Sequence, residues 1–424
     1  MSDGEHTSGP QGVVRERSGW PLWLRGVLPL VLLGVLLAVF FRFGPLGVFR
    51  AAFPPVEELT IERVAFPSEG MMRVHVVNGG PEPVTIRQVM VEEAYWDHSI
   101  AGGAELGRLE RTTVDIPYPW VHGEPLGVTL LSETGVTFHA DVPVATRSPR
   151  PDARYLSTFA MIGIYVGVIP VFLGLLWLPF LRRIPRRWLD AILAFTLGLL
   201  VFLGIDALAE AIELAEGVAS AFQGIGLVTL GLLGTPLLIE SIGGRGAAGP
   251  RRRSDPTESD PSRVDQATTT PLRVAFLVAL GIGLHNLGEG LAIGASYTAG
   301  EIALGTGLVV GFLVHNTTEG VGIVAPVARG GISFGHLVGL GALAGVPTIF
   351  GTWIGGFTYT PMLTVLFLAV GAGAVMQVTW TLGKLLGQEA EQGTGLFGLA
   401  APLNATGLLA GLCVMYLTGL LIPA

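Results

Sequence analysis

Two short segments carry side chains suited to holding a metal ion, His285-Asn286-Leu287-Gly288-Glu289-Gly290 and His315-Asn316-Thr317-Thr318-Glu319-Gly320. Both read H-N-x-x-E-G. In each, histidine and glutamate are four residues apart, so on a helix they project from one face on successive turns. Both segments fall near the middle of long apolar stretches. An ionisable group inside a membrane helix is costly and usually faces a partner, an ion or a water path. The two stretches are consecutive and joined by a short loop, so as antiparallel neighbours they bring two imidazoles and two carboxylates together near the centre of a bilayer. Imidazole nitrogen with carboxylate oxygen suits zinc and its first-row neighbours, whereas magnesium and calcium prefer all-oxygen sites. Asn286 and Asn316 either add carbonyl oxygens or hold the ligands from behind. A single His–Glu pair also fits a structural ion pair locking two helices; the repeated pattern at matched depth favours an ion site. The glycine after each glutamate fits close helix packing.

The elements that must position these groups are membrane helices. Half of the 424 residues are hydrophobic and 14% are charged, where soluble chains are about a quarter charged. The 61 glycines fit helices whose backbones approach closely in lipid. A net charge of −8 without a long basic run gives no sign of nucleic acid. A single cysteine, Cys413, excludes an intramolecular disulfide and a cysteine-built metal cage. There is no phosphate-binding glycine loop, nucleophile elbow or haem-attachment motif, so ATP-driven transport and hydrolysis have no support and no enzyme activity is expected.

Apolar segments long enough to cross about 30 Å of hydrocarbon lie near 156–181, 187–212, 219–241, 272–299, 302–328, 334–357, 362–386 and 400–422. The fold class expected is an all-α polytopic membrane bundle of eight spans, with additions at the N-terminus. Residues 1–18 read as a disordered cytoplasmic tail. Residues 19–51 read as an uncleaved transmembrane anchor; the rival is a cleaved signal peptide, for which Val48-Phe49-Arg50-Ala51-Ala52 is a poor cleavage site. Residues 52–152 change character. Leu59–Phe66, Met71–Val77, Val84–Val91, Gly127–Leu131 and Gly135–Asp141 are β-branched and alternating, with turn chemistry at Asn78-Gly79-Gly80-Pro81. They predict a small immunoglobulin-like β-sandwich domain. Residues 153–424 form the helical bundle, interrupted by a hydrophilic loop at 242–270.

Arg182, Arg183, Arg186 and Arg187 lie between the first two bundle spans, and Arg251-Arg252-Arg253 lies in the 242–270 loop. The positive-inside rule makes both loops cytoplasmic. The N-terminus is then cytoplasmic, and the β domain and Ala424 are extracytoplasmic. Asp206, Glu210 and Glu213 at the outer end of the second span read equally well as an acidic entrance or as a solvated helix end. His336 reads as interfacial. His75, His98, His122 and His139 read as surface or satisfied strand residues rather than metal collectors.

The two motifs resemble those of the ZIP (Zrt-, Irt-like protein) metal transporters. His285-Asn-Leu-Gly-Glu-Gly-Leu-Ala-Ile-Gly294 is similar to the family's fourth-helix motif, and His315–Gly320 to its fifth. The eight spans, the hydrophilic loop after the third and the external C-terminus agree, so the resemblance covers about 155–424. It implies passage of a divalent transition metal toward the cytoplasm, Zn2+ first with Fe2+ or Mn2+ as alternatives. It also implies passive or ion-coupled movement by an elevator-like or rocking motion and a homodimer; the histidine-free loop and the compact bundle point to a plasma membrane. Metal ligands carried over are His285, Glu289, His315 and Glu319, with Asn286 and Asn316 beside them; Pro326 and Pro347 supply kinks. The chain also departs from the pattern. Gly288 and Thr318 stand where members often have proline. Asn316 and Val346, before Pro347, stand where many have the carboxylates of a second metal, which implies one principal site. Gln377 and Thr379 are the polar residues left where carboxylates are common in the seventh span, and the 242–270 loop lacks histidine. The rival class is a non-transporting membrane receptor or metal sensor whose β domain binds an unknown external ligand or partner protein. A membrane metalloenzyme is a third reading, needing an open coordination position and a general base.

Overall fold

The computed structural model describes residues 22–43, 56–247, 271–299, 302–389, 398–399 and 401–420. The expected tail at 1–18, most of the 242–270 loop and Ala424 lie outside the described residues. Met1–Val56 and Glu57–Ala424 are separate compact units. The first contains helix α1 (Leu22–Phe43). Its described apolar run, Val27–Val39, is shorter than the roughly 20 residues that cross a hydrocarbon core, so α1 by itself does not establish an anchor.

The second unit opens with antiparallel strands β1 (Leu59–Ser68), β2 (Met71–Asn78), β3 (Val84–Val91), β4 (Ala94–Tyr95), β5 (Ser99–Ile100), β6 (Glu105–Leu106), β7 (Arg111–Ile116), β8 (Leu126–Ser132) and β9 (Thr137–Val142). One sheet has the order β1-β2-β7-β5 and the other β4-β3-β8-β9, with β6 added to β3. Alternation along β2 explains the pairing of faces. Met72, Val74 and Val76 are buried while Arg73 and His75 between them are partly exposed. With Ile86, Val89, Val114, Ile116, Val128 and Leu130 they form a shared apolar core. Strands β2 and β3 lie in different sheets, so the Asn78–Pro81 turn crosses between sheets rather than closing a hairpin. Asn78 holds that crossing, donating to the carbonyls of Glu82 and Leu106 and accepting from the Gly80 amide.

Eight helices long and apolar enough to cross a membrane follow. They are α2 (Ala153–Leu181), α3 (Arg186–Glu216), α4 (Gly224–Ala247), α5 (Pro271–Ala299) and α6 (Ile302–Val324). Then come α7 (Phe334–Thr358), α8 (Pro361–Glu389) and α9 (Pro402–Gly419). Each expected span is present. Helix α3 runs past its expected end because Ala207, Ala211 and Ala215, at four-residue spacing, bury one continuous face. Three helices carry irregular turns. A π segment, Ile164–Val168, interrupts α2. A 3-10 turn, Ala325–Val327, holding Pro326 closes α6. Helix α7 changes segment at Val346, ahead of Pro347.

Helix α5 is central: 78% of its apolar window is buried, against 17% in α9. It packs on α6, α7 and α8. The outer faces of α2, α4 and α9 keep Leu173, Leu176, Leu233, Leu237, Leu409 and Leu417 exposed, as a lipid-facing surface requires. The α5–α7 contact is made backbone to backbone through glycine. A Cβ on Gly290 would lie 2.2 Å from the Thr348 carbonyl oxygen, and one on Gly355 would lie 2.1 Å from that of Leu291. Gly320 meets α2 in the same way, 2.3 Å from the Val171 carbonyl oxygen. The motif glycines are therefore packing positions, as their sequence context implies.

The β region is fixed to the helix ends at the α3–α4 connection. The Glu58 carboxylate accepts from the Ser220 amide at 2.7 Å and its hydroxyl at 2.5 Å. The Arg111 guanidinium lies 5.2 Å from the centre of the Phe222 ring.

Two predictions follow from these contacts. Gly355→Leu forces backbone apart and is expected to destabilise the full chain by about 1–3 kcal/mol, read as a lower melting temperature in detergent. Gly339→Leu, where a Cβ meets nothing within 4 Å, is expected to change it little. In the β region, burial first, and then the charges of Arg63 and Arg73, hold the His75 imidazole down to about 4 from its ordinary 6.5. Its neutral form is favoured in the fold, so its contribution is complete above pH 6.5 and is lost as pH falls toward 4. The stability difference between wild type and His75→Gln should shrink across that window in urea titrations at successive pH values; a constant difference contradicts the assignment.

Candidate metal centre

The H-N-x-x-E-G segments occupy the middles of α5 and α6, and both helices present them inward. His285, Asn286, Glu289, His315, Asn316 and Glu319 are all at most 4% exposed. Burying six polar side chains among apolar helices is tolerable only where they partner one another or an ion.

Three of the expected ligands converge. His285, Glu289 and His315 each offer an atom within 4.8 Å of the others. One oxygen, Glu289 Oε1, faces both rings: His285 Nε2 lies at 3.1 Å and His315 Nε2 at 2.5 Å. The second oxygen, Oε2, accepts from Asn316 Nδ2 at 3.0 Å. Both ring nitrogens and the carboxylate thus aim at one point between α5 and α6. The four-residue spacing brings His285 and Glu289 together within α5, and the antiparallel neighbour supplies His315.

Glu319 does not join this group of three. It lies within electrostatic reach of Glu289 with Asn286 as a polar neighbour, yet neither of its buried oxygens accepts a hydrogen bond of ordinary geometry. The Asn286 and Asn316 side-chain oxygens are also buried without a donor, as is His285 Nδ1. Four oxygens in the two motifs therefore lack a donor. A carboxylate shielded from water without compensation costs several kcal/mol, and a proton or a bound cation relieves that cost. The residues present suit a divalent ion with mixed nitrogen and oxygen ligands.

The asparagines act chiefly as anchors. Asn286 Nδ2 donates to the Ala344 carbonyl on α7 at 3.1 Å, and Asn316 Nδ2 to the Val166 carbonyl on α2 at 3.1 Å. Val166 sits in the π segment and Ala344 beside the change of segment at Val346, so the irregular turns supply the accepting carbonyls. Carbonyls leave no trace in side-chain spacing, and these two contacts were not legible in the sequence; Pro347 is the sole local cue. Gly371 on α8 is a further unread position. A Cβ there would stand 3.2 Å from His285 Nδ1, so its absence makes room for the ring.

A cavity of about 30 Å3 reaches the centre, lined by Asp206 and Glu210 of α3 together with His285, Glu289, Phe312 and Gly371. At roughly 10–15 Å3 per water it admits about two waters. Asp206 and Glu210 thus line the space beside the site, which is compatible with the entrance reading; Glu213, exposed in the last turns of α3, does not line it. His75 and His139 are engaged with Arg63 and with Asp141 and Thr129. Among the described residues, His285, Glu289 and His315 form the group of three His, Cys, Asp or Glu close enough to share an ion. No protein-family model matches the chain and no curated protein matches it in sequence.

Asn316 holds both Glu289 and α2. Asn316→Ala is expected to weaken Zn2+ binding about 10–100-fold, measured by competition with a zinc indicator on the purified full chain. An unchanged affinity would mean that Glu289 is oriented without it.

Proposed function

We propose that this chain is a ZIP-like transporter that carries a divalent transition-metal ion, Zn2+ first and Fe2+ or Mn2+ as alternatives, into the cytoplasm. The observation that carries the reading is the convergence of His285, Glu289 and His315 on one buried point of an eight-helix apolar bundle. The ion is drawn by the carboxylates of Asp206 and Glu210 and loses water in the narrow cavity. It then exchanges that water for two imidazole nitrogens and the Glu289 carboxylate, with Glu319 and the asparagine oxygens completing its surroundings. Mg2+ sheds water reluctantly and prefers oxygen ligands, so this donor set disfavours it.

Release on the opposite side requires α5 and α6 to change their exposure relative to α3 and α8. The glycine-lined contacts of α5 with α7 and of α6 with α2 are the surfaces along which such a motion would run. The positive-inside rule assigns the Arg182–Arg187 turn to the cytoplasm and the β region to the outside. A plasma-membrane location, α1 as an anchor ahead of the β domain and a second copy as partner complete the reading.

Uptake into proteoliposomes tests it, with Zn2+, Fe2+, Mn2+ and Mg2+ offered separately to wild type, His285→Ala and the Glu289→Ala/Glu319→Ala double variant. Saturable uptake of a transition metal, reduced at least tenfold in both variants, is expected. Stoichiometric binding without uptake of any ion favours the receptor reading instead, and uptake intact in the double variant overturns the site.

A further inference from the structure

A second polar cavity lies away from the metal centre, at the end of the bundle that carries the Arg182–Arg187 turn. It encloses about 100 Å3 between α4, α5 and α8, and its polar lining is Glu240, Arg273, Gln377, Trp380, Thr381 and Lys384. We propose that this cavity binds a phosphate-type anion.

Charge comes first. The lining holds two cations, Arg273 and Lys384, against one carboxylate, and that carboxylate is engaged: Glu240 Oε2 accepts from Gln377 Nε2 at 2.9 Å. Neither cation forms an ion pair with a described residue. Arg273 Nε is shielded from solvent and donates to no described residue, a cost of about 1–3 kcal/mol unless an acceptor arrives. The Lys384 Nζ lies 4.8 Å from the centre of the Trp380 ring, an arrangement that positions the ammonium without consuming its hydrogen-bond donors.

Local structure adds to this. Arg273 is in the first turn of α5, a 29-residue helix, where unpaired amides and the helix dipole favour negative charge. A guanidinium fork beside a lysine point charge is the donor set for phosphate oxygens. At roughly 10–15 Å3 per water, the cavity has room for several waters or one tetrahedral anion. A metal cation is disfavoured by the same positive balance, so the cavity is distinct in chemistry from the His285 centre.

Two sources present this chemistry. Trp380 and Lys384 stand near one end of a membrane-crossing helix, where a phospholipid headgroup lies, and inorganic phosphate is the soluble counterpart. The test uses the purified full chain in neutral detergent. Native mass spectrometry measures retention of phosphatidylglycerol against phosphatidylcholine, and calorimetry measures binding of inorganic phosphate. Both are run on wild type, Arg273→Gln/Lys384→Gln and Arg273→Lys/Lys384→Arg. The expected result is at least a tenfold loss in the glutamine variant and recovery in the charge-retaining one. Loss in the phosphatidylglycerol arm alone assigns the site to a lipid, and loss in the phosphate arm assigns it to the soluble anion. Binding by the glutamine variant equal to wild type in both arms overturns the proposal. So does a charge-retaining variant as deficient as the glutamine one.

Discussion

A carboxylate held inside an apolar helical bundle must be met by hydrogen-bond donors or positive charge, and a single oxygen of Glu289 faces two imidazoles. In water such an interaction is worth little. Away from water it decides the arrangement, because leaving the carboxylate uncompensated costs several kcal/mol. This requirement sets the pairing of α5 with α6, the burial of both motifs and the need for asparagine to hold what the imidazoles do not reach. The compensation is incomplete, since Glu319 and both asparagine oxygens have no donor.

Each letter of H-N-x-x-E-G has its own physical task, and the two copies divide the work unequally. Histidine supplies the ring nitrogen. Asparagine ties the segment to a neighbouring helix by donating to a carbonyl in an irregular turn, Ala344 for Asn286 and Val166 for Asn316. Glycine brings the backbone against the next helix, which places those carbonyls in reach. The glutamates differ. Glu289 sits between both rings and accepts from Asn316, whereas Glu319 has Asn286 beside it without a hydrogen bond of ordinary geometry. Sequence repetition thus yields an asymmetric centre, because the packing partners of α5 and α6 are not repeated.

Much of this was legible in the residues. Helix spacing placed His285 with Glu289, and the short link between α5 and α6 placed His315 opposite them. Long apolar runs located all eight helices long and apolar enough to cross a membrane. Alternation located β1, β2, β3, β8 and β9. Strand β7 escaped because its ends are Arg111 and Asp115-Ile116 and only Val114 and Ile116 are buried, too few apolar positions to register a period. The separation of β2 and β3 into different sheets was invisible because a turn signal fixes a reversal, not the partner strand. At the centre, Glu319 was expected among the ligands from the repeated spacing and the resemblance of its motif. Spacing fixes the face of a helix but not the rotation of that helix against its neighbour, and the rotation leaves Glu319 outside the converging three. The backbone carbonyls that hold the asparagines depend on tertiary contact and had no sequence counterpart.

The most direct measurement of the central claim is X-ray absorption at the zinc edge on the Zn2+-loaded full chain, wild type beside His315→Ala. The account predicts a nitrogen and oxygen shell at about 2.0–2.1 Å with outer-shell scattering from two imidazoles, reduced to one in the variant. An all-oxygen shell, or an imidazole contribution that is the same in both proteins, would contradict it.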